Sequence, residues 1–426
     1  MKSLKLIGII IAVLTLIIGG FLSHKIYTIV VKKNDRHNYI YNSYPYLKLE
    51  IEKIHLEAGY IENVFGEKLN FKKKDLRKLL NYDSENYERP LGFIDFYKER
   101  LVFVSGKGEV YISTIFNKNL QDLSFSKIDT NLINNFDVND VSTYQRNFIR
   151  DILVDKDDLY IKVLGISEDG SLYTPKIIVS KINNFEKNLI FEDFFKTDEF
   201  GDDGSTDKTH GGGRIVNYKD KYILASIPDF GYRYKEAQDK KSIFGKIIKI
   251  NKETKEYEVF SMGHRNPQGL HWDSETDTIL ASEHGPIGGD EVNIIKKDKN
   301  YGWPIISLGE DGPGHESDDH LAYGFEEPAF YWGLKNDKQN CGPSEITKIP
   351  ANFLNEKSNS YLLACLSGAD PKWGLALYNF VLKNDKLNLI QKIFINDRVR
   401  DLKMFDEKIL VMVLENSQSL AIIYKD

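Results

Sequence analysis

One short unit recurs six times in this chain of 426 residues: a polar turn, followed at once by three or four aliphatic, β-branched or aromatic residues. The runs are 101–104 (LVFV) after YKER, 159–161 (LYI) after DKDD and 222–225 (YILA) after YKDK. They continue with 278–281 (TILA) after SETD, 361–364 (YLLA) after EKSNS and 409–412 (ILVM) after FDEK. Such residues fit a pleated, half-buried surface, and the turns ahead of them punctuate hairpins. Further strand-like runs fall between the copies, at 245–250, 256–261, 375–382 and 387–395. No long amphipathic helical period intervenes, which argues against alternating strands and helices. The copies are spaced by roughly 50 to 80 residues, the range of propeller blades with loop insertions. The expected fold is therefore all-β, a six-bladed β-propeller, an architecture that leaves only short protected edges around a central channel. A pair of β-sandwiches or a different blade count are the alternatives. The widest gap, 281–361, is rich in Gly, Pro and Asp, so the most elaborate loops are expected there.

The N-terminus reads differently. Residues 6–23 (LIGIIIAVLTLIIGGFLS) form an uncharged apolar run with Lys2 and Lys5 before it and Lys25 after it. About 20 apolar residues cross the hydrocarbon core, and 26–31 extend the run if Lys25 snorkels. A cleaved signal would have a shorter apolar core and a small-residue cleavage site. An uncleaved N-terminal transmembrane helix is expected over 1–31, then a polar connector over 32–89 that can dock on the domain, with a short helix across 71–80, and the propeller over 90–426. Positive charge flanks the run on both sides, so charge alone does not orient it.

Bulk composition excludes some partners. The net charge of −6, with acids and lysines interspersed, gives no basic footprint for nucleic acid. Cys341 and Cys365 lack metal-ligand spacing, which leaves two buried thiols or one disulfide.

Four polar clusters could carry chemistry. In 209–214 (THGGGR), His210 precedes three glycines, giving open access to a side chain suited to general-base work near neutral pH. In 263–270 (GHRNPQGL), Arg265 offers a planar fork for a carboxylate, and Asn266 and Gln268 add amide groups. In 283–291 (EHGPIGGDE), the tight Gly285-Pro286 turn can aim backbone carbonyls at a hard cation such as calcium, between His284 and Asp290. In 396–401 (NDRVRD), alternation sets Arg398 and Arg400 on one strand face. Such a pair calls for an anion between them, either a ligand or the neighbouring Asp397 and Asp401. A propeller brings clusters so distant in sequence together, because equivalent loops of successive blades converge on one face.

Taken in order, HGGGRIV, GHRNPQGL, EHGPIGGDEVNII, KNYGWP and NDRVRDL resemble the glucose/sorbosone dehydrogenase family, propeller aldose dehydrogenases that use pyrroloquinoline quinone (PQQ). The resemblance covers roughly residue 90 to the C-terminus and is strongest over 263–304. It implies His210 as the base that takes the proton of the sugar's anomeric hydroxyl while hydride passes to the quinone. It implies Arg265, Asn266, Gln268, His284 and Asp290 along the cofactor, with Arg398 and Arg400 on its carboxylates and Gln145 as a further contact. Gly285 and Pro286 match carbonyl ligands of a calcium ion that polarises the quinone. The chain departs from the family pattern where Ser367 stands in place of a lysine, with Lys372 nearby, and where Thr209 replaces an acid before the base.

The resulting expectation is a membrane-anchored oxidoreductase facing the periplasm or cell exterior. It would oxidise an aldose to a lactone with PQQ and calcium and pass electrons to an external acceptor. A non-catalytic propeller that binds a glycan or protein partner is the alternative. A lactonase-like hydrolase fits less well, because such sites use converging carboxylates and amides where arginines stand here.

Overall fold

The structure is a computed structural model. It describes residues 60–425 apart from 63–67, 81–90, 133–148, 167–172, 200–211, 232–233, 310–314, 317–318, 333–339, 352, 355–359 and 367–373. The apolar run at 6–23 lies outside the described residues, and among the described residues no helix is long and apolar enough to cross a membrane.

Six antiparallel blades follow one another along the chain. Blade one holds Gly92–Tyr97, Arg100–Ser105, Val110–Ile115 and Phe125–Thr130. Blade two holds Ile149–Asp155, Asp158–Ile166, Tyr173–Lys181 and Glu192–Phe195. Blade three holds Ile215–Tyr218, Tyr222–Ile227, Lys246–Asn251 and Tyr257–Met262. Blade four holds Pro267–Asp273, Thr278–Glu283, Glu291–Ile294 and Phe330–Tyr331. Blade five holds Pro343–Ile349, Ser360–Cys365, Ala376–Lys383 and Lys386–Phe394. Blade six holds Val399–Phe405, Ile409–Leu414 and Ser419–Tyr424. The first strands of the blades touch in sequence, and the first strand of blade six returns to that of blade one, so the ring is closed.

Each of the six recurring runs forms the second strand of a blade. In blades one to four and six the polar turn ahead of the run makes the hairpin to the first strand. Lys219 and Asp220 (φ 50° and 54°) and Asp406 and Glu407 (φ 48° and 53°) adopt paired left-handed conformations. That turn geometry matches the twist of the flanking strands. The second strands of blades five and six are buried along their whole length, and apolar clusters fill the spaces between neighbouring blades.

The region before residue 90 differs from expectation. Lys68–Asp75 is a strand that pairs antiparallel with Ser419–Tyr424 and completes blade six, with Tyr60–Glu62 outside it. Only Arg77–Leu80 is helical, not the whole of 71–80. The lysines and leucines there favour a helix locally, but the open edge of blade six offers a full ladder of backbone partners and burial for Leu69 and Phe71. Chain ends meeting in one sheet lock the ring shut.

Candidate active site

A small cleft opens at blade four, lined by Arg265, Glu283, His284, Gly285, Pro286 and Trp303 among others. The hairpin pairing Pro267 with Glu283 sets the residues before its first strand beside those after its second. Two glycines make the cleft's tight turns possible. A Cβ on Gly263 (φ 76°) would lie 2.1 Å from Asn300 Oδ1, and one on Gly285 would lie 2.1 Å from the Gly288 carbonyl.

Arg265 is held on several sides. Its backbone N–H donates to Glu283 Oε2 at 3.0 Å, and its Nη1 donates to the carbonyls of His284 (2.9 Å) and Gly285 (2.7 Å). Its guanidinium lies over the Trp303 ring, 5.4 Å from the centroid. The other Glu283 oxygen meets His264 Nδ1 at 3.0 Å, and His264 Nε2 meets Ser261 Oγ at 2.8 Å. This serine–histidine–carboxylate chain looks like a hydrolase relay. Ser261 and His264 are nonetheless fully buried, and His264 stacks on Tyr301, so the chain is internal bracing. Asn293 links Glu283 to Glu291. Burial and the Glu283 charge push the Glu291 carboxyl up to about 8, so at neutral pH it holds a proton at the cleft wall.

The glycine motif after His210 docks on the same region. His210 itself, like Gln145, Ser367 and Lys372, lies outside the described residues. A Cβ on Gly212 would lie 2.0 Å from Gln268 Nε2, and one on Gly213 (φ 115°) 2.1 Å from Lys162 Nζ. These positions are therefore glycine because the backbone presses against two side chains. Lys162 donates to the Gly212 and Ser226 carbonyls at 2.8 Å each, and burial pulls its amine down to about 7. Arg214 then acts as a hub. Nε donates to the Gln268 carbonyl and Nη2 to the Arg400 carbonyl, both at 2.8 Å. Nη1 meets Asp151 at 2.9 Å, Asp401 at 3.0 Å and Glu345 at 3.3 Å. One buried guanidinium thus joins blades two, four, five and six to the motif that carries His210.

Arg398 and Arg400 do share a face. The anion between them is Glu415, not Asp397 or Asp401: Arg398 Nε lies 2.9 Å and Arg400 Nε 2.7 Å from its oxygens. Asp397 accepts the backbone N–H groups of Arg398, Asn416 and Ser417 instead.

The residues expected along a cofactor therefore divide. Arg265, His284, Gly285 and Pro286 line the cleft. Asn266 and Gln268 bond to each other at 2.8 Å beside Gly212. Asp290 is buried behind the turn, accepting the N–H groups of Gly285, Cys341 and Gly342, and burial raises its carboxyl to about 6. Its role is to fix the turn's shape. The open choice for the cysteines resolves as a disulfide between Cys341 and Cys365. Residues that the sequence reading passed over are Lys162, Arg214, Trp303 and Glu415. Arg214 and Trp303 stand within the quoted motifs. Glu415 carries no sequence signal.

The cationic set fits a polycarboxylate such as PQQ in residue type, since Arg265 faces the cleft and Arg398 and Arg400 lie side by side on Glu415. The calcium cage fits less well. Gly285's carbonyl already accepts from the cationic Arg265, so a dication there would meet like charge. Among the described residues no His, Cys, Asp and Glu cluster could hold a metal.

Comparison with known proteins decides the family. The family model described as Glucose / Sorbosone dehydrogenase matches residues 181–423, more than half of the chain. The chain belongs to this family. Among curated relatives, it is 35% identical over 139 residues to the aldose sugar dehydrogenase YliI of Escherichia coli, covering 29% of this chain and 37% of that protein. It is 29% identical over 178 residues to the quinoprotein glucose dehydrogenase B of Acinetobacter calcoaceticus, covering 35% of this chain and 36% of that protein. The chain thus aligns with little more than a third of the length of these family members. Among solved structures, the apo-form soluble aldose sugar dehydrogenase of Escherichia coli superposes with TM-score 0.62 at 19% identity, covering 84% of this chain and all of that one. The PQQ-bound aldose sugar dehydrogenase of Streptomyces coelicolor gives TM-score 0.57 at 20% identity, covering 83% and 98%. These superpositions establish the propeller fold that the blades display.

Proposed function

We propose that this chain is a PQQ-dependent aldose dehydrogenase that oxidises the anomeric hydroxyl of a sugar to a lactone. One observation carries the reading: Arg214 ties the His210 glycine motif, the Gln268 wall and the Arg400 backbone into one buried unit. The glycines that follow His210 and the backbone of Arg400, a residue suited to a polyanion, thereby share one floor. PQQ, when bound, supplies a quinone that accepts hydride from the anomeric carbon. The chain's own residues do the rest. His210 takes the hydroxyl proton, Arg398 and Arg400 hold carboxylates, and Arg265 sets positive charge at the cleft where negative charge grows on reduction.

In this reading His284 and the Asn266–Gln268 pair shape the cofactor wall, and Gln145 adds a polar contact. Calcium at Gly285 and Pro286 would require Arg265 to give up the Gly285 carbonyl, so no step is assigned to it. The Cys341–Cys365 disulfide supports an oxidising compartment. With the apolar run at 6–23, it favours a propeller held by its N-terminus at the periplasmic or outer face of a membrane, delivering electrons to an external acceptor. The domain plan is then an anchor over 1–31, a connector that ends near the first described strand, and the propeller.

The test is dye reduction by the full chain in detergent, loaded with PQQ and offered a panel of aldoses. Turnover is expected, and His210→Ala should lower it about a hundredfold or more. Full activity in that variant would remove the proposed base. PQQ binding without turnover on any aldose would favour the non-catalytic binding propeller.

A further inference from the structure

We propose that Lys162 is a positioning residue for the turn Gly212–Arg214, fixing the Gly212 carbonyl and with it the contact between the turn and Gln268. The proposal rests on the reading above only in its consequence for turnover.

Three observations carry it. First, Lys162 reaches out of its own blade. It sits midway along the second strand of blade two and is 1% exposed. Its Nζ donates to the carbonyls of Gly212 and Ser226, at the entry and in the second strand of blade three, at 2.8 Å each. Its cross-strand partner is Asp151, but that carboxylate is committed to Arg214 Nη1 and the Ile215 N–H. The amine therefore serves two carbonyls instead of a carboxylate. Second, different groups hold the two ends of the turn. Ser226 grips the far end: its Oγ accepts the Arg214 N–H at 2.8 Å, and its own N–H donates to the Arg214 carbonyl at 3.0 Å. Gly212 lies ahead of the regular ladder, which begins with Ile215 opposite Ala225, and there Lys162 supplies the donor. Third, the turn is sandwiched. A Cβ on Gly213 (φ 115°) would lie 2.1 Å from Lys162 Nζ, and one on Gly212 would lie 2.0 Å from Gln268 Nε2. With an amine on one side and an amide on the other, the place of the amine sets how the turn meets Gln268. Arg214 completes the contact by donating Nε to the Gln268 carbonyl.

Donors rather than charge carry this hold. Two carbonyls need two N–H groups, and a neutral amine still has two. Burial pulls the Lys162 amine down to about 7; Asp151 opposes that, while Arg150 and Arg214 add to it. Loss of the third proton should therefore leave the turn in place.

The test is amide hydrogen exchange on the full chain without ligand, for wild type, Lys162→Met and Lys162→Gln. Met keeps most of the apolar stem and removes both donors, whereas Gln keeps two donors on a shorter stem. The reporters are the Arg214 and Ile215 amides, with Ile409–Leu414 in blade six as the reference. In Lys162→Met the reporters should exchange about tenfold faster or more, the scale of stripping two buried carbonyls of their donors, with the reference unchanged. Lys162→Gln should fall between it and wild type. Unchanged reporters in folded Lys162→Met overturn the proposal, as does an equal loss in blade six, which would make Lys162 a general stability residue. In wild type, protection corrected for intrinsic exchange should stay level from about pH 6 to about pH 8; a fall above about 7 would assign the hold to charge and overturn the donor argument. With PQQ and an aldose that turns over, Lys162→Met should lower kcat about tenfold and change KM less than about twofold. A wild type without turnover removes that catalytic consequence, and the exchange result still decides the positioning role. If Lys162→Met does not fold, Lys162→Gln decides on the same reporters; if neither folds, the positioning role is lost.

Discussion

Removing Arg214 should cost the fold more than any other single change in the channel, by an amount that depends on pH. Its side chain is 2% exposed, and Asp151, Glu345 and Asp401 around it are at most 3% exposed. Arg214→Met leaves three buried carboxylates facing one another, with Lys403 Nζ 4.0 Å from Glu345 and the buried Lys162 near Asp151 as partial compensation. Breaking a buried ion pair on one side costs about 3–5 kcal/mol. At about 2.1 cal/mol/K of unfolding entropy per residue, a domain of roughly 350 residues has about 0.7 kcal/mol/K, so Tm should fall by roughly 4–7 °C. Protons relieve the strain. Burial already pushes Glu345 up to about 7 and raises Asp151 despite Arg214. With Arg214 gone, both carboxyls protonate more readily, so the loss should be larger at pH 8 than at pH 5. Differential scanning calorimetry at both pH values reads this directly. A Tm within 1 °C of wild type at pH 8, or a larger loss at pH 5, would refute the hub argument. Arg214→Lys keeps the charge but cannot reach the Gln268 and Arg400 carbonyls together. It should restore most of the stability and little of the PQQ affinity.

Other outcomes follow from the same geometry. Glu291 has a folded-state value near 8, above its ordinary 4.5, so it binds its proton more tightly when folded. Its contribution to stability is therefore present at low pH and lost as pH rises from about 4.5 to about 8; Glu291→Gln should flatten that part of the stability–pH curve, measured by urea melts from pH 4 to 9. Opening the Cys341–Cys365 disulfide, which spans 24 residues, should cost about 2–4 kcal/mol in denaturant titrations with and without reductant. Calcium should leave the Tm of ligand-free protein unchanged while Arg265 holds the Gly285 carbonyl, whereas Arg265→Gln should create calcium-dependent stabilisation.

Much of the ring was legible because its signals are local. The turn YKDK and the run YILA specify a hairpin within eight residues, and a polar turn before an apolar run recurs in blades one, two, four and six. The closure of blade six was not legible. Lys68–Asp75 finds its partner at Ser419–Tyr424, far along the chain, and its lysines and leucines look helical until that edge is supplied. At the site, residue type pointed to Arg265, Arg398, Arg400 and the glycine motif, because forks and glycines have few other uses in such density. Their partners could not be read in the same way. Glu415 became visible only when the second strand of blade six set it across from Arg398, and nothing in the sequence signals the three backbone N–H groups that Asp290 accepts.

The central proposal is that the cleft and the Arg398–Arg400 pair together hold PQQ in a reactive pose over a sugar. Its most direct test is a single-turnover experiment: the full chain is loaded with one equivalent of oxidised PQQ, freed of unbound cofactor, and mixed anaerobically with each aldose in turn. The account predicts stable retention of PQQ and loss of the oxidised-quinone absorbance with at least one sugar. That loss should slow about a hundredfold or more in His210→Ala. Failure to retain PQQ, or retention with no spectral change for any aldose, would contradict it.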